Sequence, residues 1–174
     1  MTRVFWIPIE APGRLGILPA PRGGPSLVNE IAALRGEGVD TLISLLTPSE
    51  IDQLDLEHEA AFCRQVGIEP LEFPIRDTGG PPLDDDTAAF IDSLAERVCE
   101  SRSVAIHCRL AIGRASTIAA ATLVRLGMDP DVAFKVIGRA RGREVPDSPH
   151  QRRWATEFHK QYGSDPRIPG PIVL

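Results

Sequence analysis

Lysine is almost absent: among 19 basic residues only Lys135 and Lys160 are lysines, and the rest of the positive charge is arginine. Positive charge is not in excess either. A formal net charge of −5 argues against a generic nucleic-acid binder and against a protein held on an anionic membrane. No apolar run is long enough to cross a bilayer, and Pro8 and Glu10 interrupt the apolar stretch that a secretory leader needs. Three cysteines, an odd number without framework spacing, give no disulfide scaffold and fit free thiols in a reducing compartment. Together these absences predict a cytoplasmic protein with neither nucleic acid nor membrane as partner. The densest acidic run, Asp84-Asp85-Asp86, has no histidine near it, and acid opening a helix is explained by the helix dipole without a metal. Residues 19–25 carry a Gly-Gly pair, but no helix-embedded lysine or serine completes a nucleotide-binding loop. No metal and no cofactor are expected.

What the chain does have is concentrated in residues 103–116, Ser-Val-Ala-Ile-His-Cys-Arg-Leu-Ala-Ile-Gly-Arg-Ala-Ser. An apolar run ending in His107 reads as a buried strand. Cys108 starts a turn, Gly113-Arg114 ends it, and the helix that follows is apolar on nearly every side. A loop between a strand end and a helix start holds anions, because backbone N–H groups converge there with the positive end of the helix dipole. A thiol in such a place is expected to ionise below its free pKa of about 8.5. The planar fork of Arg114 suits two oxygens of a phosphoryl group. The spacing Cys-x5-Arg is weak by itself in an arginine-rich chain, and a half-buried cysteine in an ordinary strand–helix loop is the plain alternative. Specificity comes from His107, Gly113, the strand before and the buried helix after.

With 174 residues the chain fits one domain, expected over residues 1–162, with an extended tail over the proline- and glycine-broken residues 163–174. Short β-like runs at 3–9 and 14–18 flank the turn Ala11-Pro12-Gly13. Ser26 is placed to cap a helix with Leu27, Ile31 and Leu34 on one face, and residues 40–46 read as a central strand. Thr47-Pro48-Ser49-Glu50 is a capping box with proline at the first helical position. A helix over 57–66 and a strand over 68–75 follow, and then a loop containing Asp77. A helix after the acidic run carries Thr87, Phe90, Ile91, Leu94 and Val98 on one stripe. Helices are expected over 129–140, with Val132, Val136 and Ile137 inward, and over 147–162. Arg139, Arg141 and Arg143 cluster beyond the central helix. Alternating strands and helices predict an α/β fold, a mainly parallel sheet of about four to five strands with helices on both faces. Ligands in such folds sit at the carboxyl ends of strands, so the Cys108 and Asp77 loops are expected to share a cleft.

His107-Cys108 and Gly113-Arg114 resemble the signature of cysteine-based protein tyrosine and dual-specificity phosphatases, His-Cys-x-x-Gly-x-Gly-Arg-Ser/Thr. The Gly-Gly-Pro after Asp77 and the Arg141-Gly142 segment look most like the small kinase-associated branch. The resemblance implies that Cys108 attacks phosphorus to form a phosphocysteine, while Arg114 and the loop of Arg109, Leu110, Ala111, Ile112 and Gly113 bind the phosphoryl oxygens. It implies a general acid at Asp77, in the segment Pro74-Ile75-Arg76-Asp77; a turn aspartate before Gly-Gly is the plain reading of the same residue. His107 is expected to steady Cys108 from behind the loop; a satisfied core histidine is the plain reading of the same residue, and the two are not exclusive. Gln151 has two readings, the end of a capping box begun by Ser148 or a residue that positions hydrolytic water.

Two positions depart from the signature. Ala111 stands where glycine is usual, at a cost of about 1 kcal/mol if its φ is positive. Ala115 stands where a serine or threonine hydroxyl is usual, and Ser116 is turned about 100° away on a helix. The expected activity is hydrolysis of phosphomonoesters by a monomer, on phosphotyrosine and also phosphoserine or phosphothreonine in proteins. Phosphate, sulfate and vanadate are the expected site ligands. The alternatives are a phosphate-binding pseudophosphatase and an enzyme for a phosphoinositide or another small phosphate ester.

Overall fold

Strands that are apolar on both faces need cover on both sides, and the two central strands are of this kind: β3 (Thr41–Ser44) and β5 (Ser103–Cys108) are buried at every residue. The computed structural model, which describes residues 2–77 and 79–165, builds them into a five-stranded sheet with the order β1-β2-β5-β3-β4. β2 (Arg14–Pro19), β5, β3 and β4 (Glu69–Glu72) run parallel, and only β1 (Phe5–Trp6) is antiparallel, paired to β2 across the Ala11-Pro12-Gly13 turn. The expected α/β architecture is the observed one.

Because side chains alternate along a strand, β5 serves two cores. Val104, Ile106 and Cys108 face the side covered by α4 (Asp85–Cys99), α5 (Arg114–Arg125), α6 (Pro130–Arg141) and α7 (Pro149–Tyr162). Ala105 faces the other side, covered by α1 (Leu27–Gly36) and α3 (Glu59–Gln65), where Ile31, Leu34 and Cys63 are buried. A short helix, α2 (Pro48–Gln53), follows β3 and begins with the expected capping box, Thr47 N donating to Glu50 Oε2 at 3.0 Å. α5 is buried at all its residues, and its Ala119-Ala120-Ala121 run lets neighbouring helices approach closely. Among the described residues no helix is long and apolar enough to cross a membrane.

Local expectations failed where tertiary contacts prevailed. Ser26 has helical φ and ψ and makes no side-chain cap bond, because a 3-10 turn at Gly24–Ser26 already leads into α1. Val132 is 39% exposed, and Phe134 takes its inward place. Residues 166–174 of the expected tail lie outside those described.

Arg125, at the end of α5, ties the far side together. Its Nη1 donates to the carbonyls of Tyr162 at 2.6 Å and Gly163 at 3.0 Å, and its Nη2 donates to Asp92 Oδ2 at 3.1 Å. Its side chain is 9% exposed and that of Asp92 20%, so the pair is well removed from water. Replacing Arg125 by methionine is expected to cost about 3 kcal/mol in urea unfolding, since Asp92 is left half-desolvated without its partner; a loss below about 1 kcal/mol would mean that solvent replaces these bonds.

Candidate active site

β5 ends on Cys108 and α5 begins on Arg114, so the five residues between them must turn the chain through the space in front of the strand. Ala111 makes that turn at φ +54°, in the left-handed region where the sequence pattern favours glycine, and its side chain is fully buried. The strain of about 1 kcal/mol is therefore present. Arg141, from the last turn of α6, grips the loop from outside. Its Nε donates to the Ala111 carbonyl at 3.1 Å and its Nη2 to that of Leu110 at 3.3 Å, while its guanidinium lies 4.4 Å from the Phe5 ring. Among the described residues, the N–H groups of Arg109, Leu110, Ala111, Ile112 and Gly113 meet no acceptor. Unsatisfied donors of this kind suit an anion.

Arg114 is 2% exposed, and its donors are almost fully engaged. Nη1 reaches Glu50 Oε2 at 2.7 Å and the Ile75 carbonyl at 2.9 Å, and Nη2 reaches Glu50 Oε1 at 2.8 Å. The remaining edge, Nε, faces Asp77 Oδ1 at 3.5 Å. The forked bond to Arg114 holds the Glu50 carboxyl down at about 2 against the opposing effect of burial, and the Thr47 N–H helps. Burial works against the charge on Arg114, but the Glu50 bond, followed by the charges of Cys108, Glu50 and Asp77, raises its pKa above the usual arginine value. Sequence reasoning gave Glu50 only its capping role. The capping box is real, yet the same carboxylate crosses to a residue 64 positions away, and no local pattern carries that information.

Cys108 and Asp77 do share a cleft. A cavity of about 80 Å³ is lined by Asp77, Cys108, Arg109, Leu110, Ile112, Gly113, Arg114 and Asp147. Cys108 is buried at its floor, and the Asp77 side chain, 73% exposed, stands at its mouth. Arg109 leans away to Gln53, with Nη2 to Oε1 at 3.0 Å. Arg76 is exposed and lines a groove beside the cavity with Thr47, Glu50, Gln53, Asp77 and Arg109.

His107 takes the plainer of its two readings, a core histidine paired away from Cys108. It points to the opposite face of the sheet from Cys108, where its Nε2 lies 3.2 Å from Glu59 Oε2 and its Nδ1 has no partner among the described residues. Strand alternation is the reason: neighbours on β5 cannot share a face. Gln151 does not close a capping box either. Ser148 caps α7 by accepting from His150 N at 3.2 Å, while Gln151 Nε2 donates to the Gly79 carbonyl at 3.3 Å. Gln151 is buried against Gly113, and a Cβ on Gly113 would lie within 3 Å of Asp147 Oδ1 and both polar atoms of Gln151. Glycine is required there by close approach. Trp154 Nε1 donates to the Pro81 carbonyl at 2.8 Å, so α7 braces the segment after the acid loop at two points. Ala115 is fully buried, neither Ala115 nor Ser116 is in the cavity lining, and the Ser116 Oγ has no partner among the described residues. Asp147, which the sequence reading placed only at a helix start, lines the cavity.

Comparison with known proteins bears out the fold and places the chain in a family. A family model described as a polymorphic toxin system DSP-PTPase phosphatase matches residues 18–128. No curated protein matches the chain. Among solved structures, kinase associated phosphatase with its catalytic-site cysteine changed to serine is 20% identical over 91% of this chain and 94% of its own, with a TM-score of 0.82. The active form of Tk-PTP is 23% identical over 90% of this chain and 99% of its own, with a TM-score of 0.71. PTPMT1 in complex with PI(5)P is 20% identical over 83% and 90%, with a TM-score of 0.67. At these identities the likeness is one of fold, and the family rests on the sequence model. The chain belongs to the DSP-PTPase phosphatase family of polymorphic toxin systems, within the cysteine-based dual-specificity phosphatases.

Proposed function

We propose that the protein hydrolyses phosphomonoesters through a phosphocysteine, with phosphotyrosine in proteins as the first substrate class and phosphoserine or phosphothreonine as the second. The observation that carries this reading is the meeting of Cys108, Arg114 and Asp77 in one small cavity. In the first step the Cys108 thiolate attacks phosphorus, the P–O ester bond breaks, and protonated Asp77 gives its proton to the leaving oxygen. In the second step Asp77, now a carboxylate, takes a proton from water as its oxygen attacks phosphorus, and the S–P bond breaks to return the thiolate. Arg114 and the loop N–H groups hold the equatorial oxygens and stabilise the charge that develops on them. Leu110, 58% exposed at the rim, offers an apolar edge to an aryl group. A second reading, a phosphate-binding protein without turnover, is favoured by the strained Ala111 and by the missing hydroxyl at Ala115.

Hydrolysis of a series of aryl phosphates tests the two readings. Cys108→Ser is expected to abolish turnover, and Asp77→Asn to lower kcat by about 10²-fold or more, most for poor leaving groups. A wild-type protein that binds vanadate but releases no phosphate would establish the second reading. Glu50→Gln loosens the fork that orients Arg114 and is expected to lower kcat/KM by roughly 10²-fold. It also changes the acid limb of stability. A carboxyl lowered from 4.5 to about 2 stabilises the fold fully above its unfolded value and loses that contribution as pH falls toward 2. Urea midpoints between those limits should therefore fall more steeply for wild type than for Glu50→Gln. Ala115→Ser restores the hydroxyl that the family signature carries at this position and is expected to raise the steady-state rate. An unchanged rate with an unchanged burst amplitude would show that breakdown of the intermediate is not limited at this position.

A further inference from the structure

Of the three arginines that cluster after the central helix, only Arg141 serves the phosphate loop. Arg139 and Arg143 face elsewhere, into a groove of about 550 Å³ whose lining includes Phe134, Lys135, Glu144, Val145 and Arg152. Its floor is made by the close return of the chain over α6. Gly142 takes φ +77°, Arg143 N donates to the Gly138 carbonyl at 3.1 Å, and a Cβ on Gly138 would meet the Arg143 carbonyl at 3.0 Å. The groove neighbours the catalytic cavity through an intermediate hollow. A second hollow of about 500 Å³ shares Arg143, Glu144 and Arg152 with it, and shares Asp147 with the cavity of Cys108.

The charges in this groove are not balanced internally. Arg152 is committed: it donates to Asp131 Oδ1 at 3.1 Å and to the Val145 carbonyl at 3.3 Å, and it covers the Phe134 ring at 5.0 Å. Lys135, Arg139 and Arg143 are exposed and make no ion pair among the described residues. The acids near them are Glu144 in the groove, Asp147 at the end toward the catalytic cavity, and Asp131, one turn before Lys135 on α6 and bonded to Arg152. Lys135 and Arg139 are four apart on one helix, a like-charge arrangement that destabilises a helix. The helix dipole accounts for Arg139 and Arg141 in the last turn of α6 but not for Lys135. In a chain of net charge −5, and with so few lysines, three unpaired cations lining one groove run against the average of the surface.

We propose that this groove binds a carboxylate-rich segment of the phosphoprotein substrate, flanking the phosphorylated residue and lying over Lys135, Arg139 and Arg143. This rests on the proposed function and deepens it by naming the substrate class. A peptide is favoured over a flat anionic surface because the cations line a concave groove, and the hollow beside it reaches Asp147 of the catalytic cavity. An extended acidic strand can follow it with its carboxylates on the cations and its apolar stems on Phe134 and Val145.

The test uses phosphotyrosine peptides carrying a run of glutamates, on one side or the other of the phosphoresidue, and matched peptides with glutamine instead. Wild type is expected to prefer one glutamate peptide by about tenfold in kcat/KM, mainly through KM, and the preference should shrink at roughly 0.5 M salt. R139Q/R143Q should lose the preference while hydrolysing a small aryl phosphate as wild type does, and Lys160→Gln, on α7, should keep it. Equal rates on both peptide sets, or a preference that survives R139Q/R143Q, would overturn the proposal. So would loss of binding to phosphatidylserine vesicles by that variant with no change toward peptides, which would make this a membrane face. If wild type does not hydrolyse the aryl phosphate, the proposed function fails separately. The groove is then read by fluorescence anisotropy of a labelled glutamate peptide, which should bind wild type more tightly than R139Q/R143Q.

Discussion

The forked ion pair between Glu50 and Arg114 is the contact on which the rest of the site depends. It joins α2 to the start of α5, and the carbonyl of Ile75 adds a third anchor just before the acid loop. Removed from water, the two charges attract each other more strongly than they would at the surface, and two parallel bonds fix the plane of the guanidinium as well as its position. With one side of the fork held by the protein, the other edge is aimed at the cavity. The same carboxylate caps α2, so the loop between β3 and α2, the arginine and the acid loop are set by one group.

Around that pair, loops with little regular structure are made rigid by helices behind them. α6 holds the loop of residues 109–113 through Arg141, and α7 holds the segment after Asp77 through Gln151 and Trp154. The strain at Ala111 is small beside the packing that surrounds it, since Ala111, Ala115 and the whole of α5 are buried. The substitution for glycine is tolerated because the turn is determined by its surroundings and not by local preference. Such a scaffold leaves the lining of the cavity to side chains on loops, while the helices behind them shape the neighbouring hollows along α6.

The strands, the buried α5, the tight turn from Cys108 to Arg114 and the carboxyl-end location of Asp77 follow from patterns a few residues long. Apolar runs are buried strands, Cys108 and Arg114 flank a tight turn, and a parallel sheet brings strand ends to one edge. Even the positive φ at Ala111 could be expected from the chain, because the turn demands it whatever residue sits there. Three assignments needed the tertiary structure. Glu50 reaches Arg114 across the sheet, Gln151 leaves its cap for Gly79, and Asp147 enters the cavity, each through contacts between segments far apart in sequence. His107 went to Glu59 because β5 alternates, a rule legible in the sequence, although the residue on α3 that receives it was not. Local chemistry is written in neighbouring residues because backbone geometry acts over three or four positions. Which distant carboxylate meets which arginine depends on how the helices pack, and only the folded chain decides it.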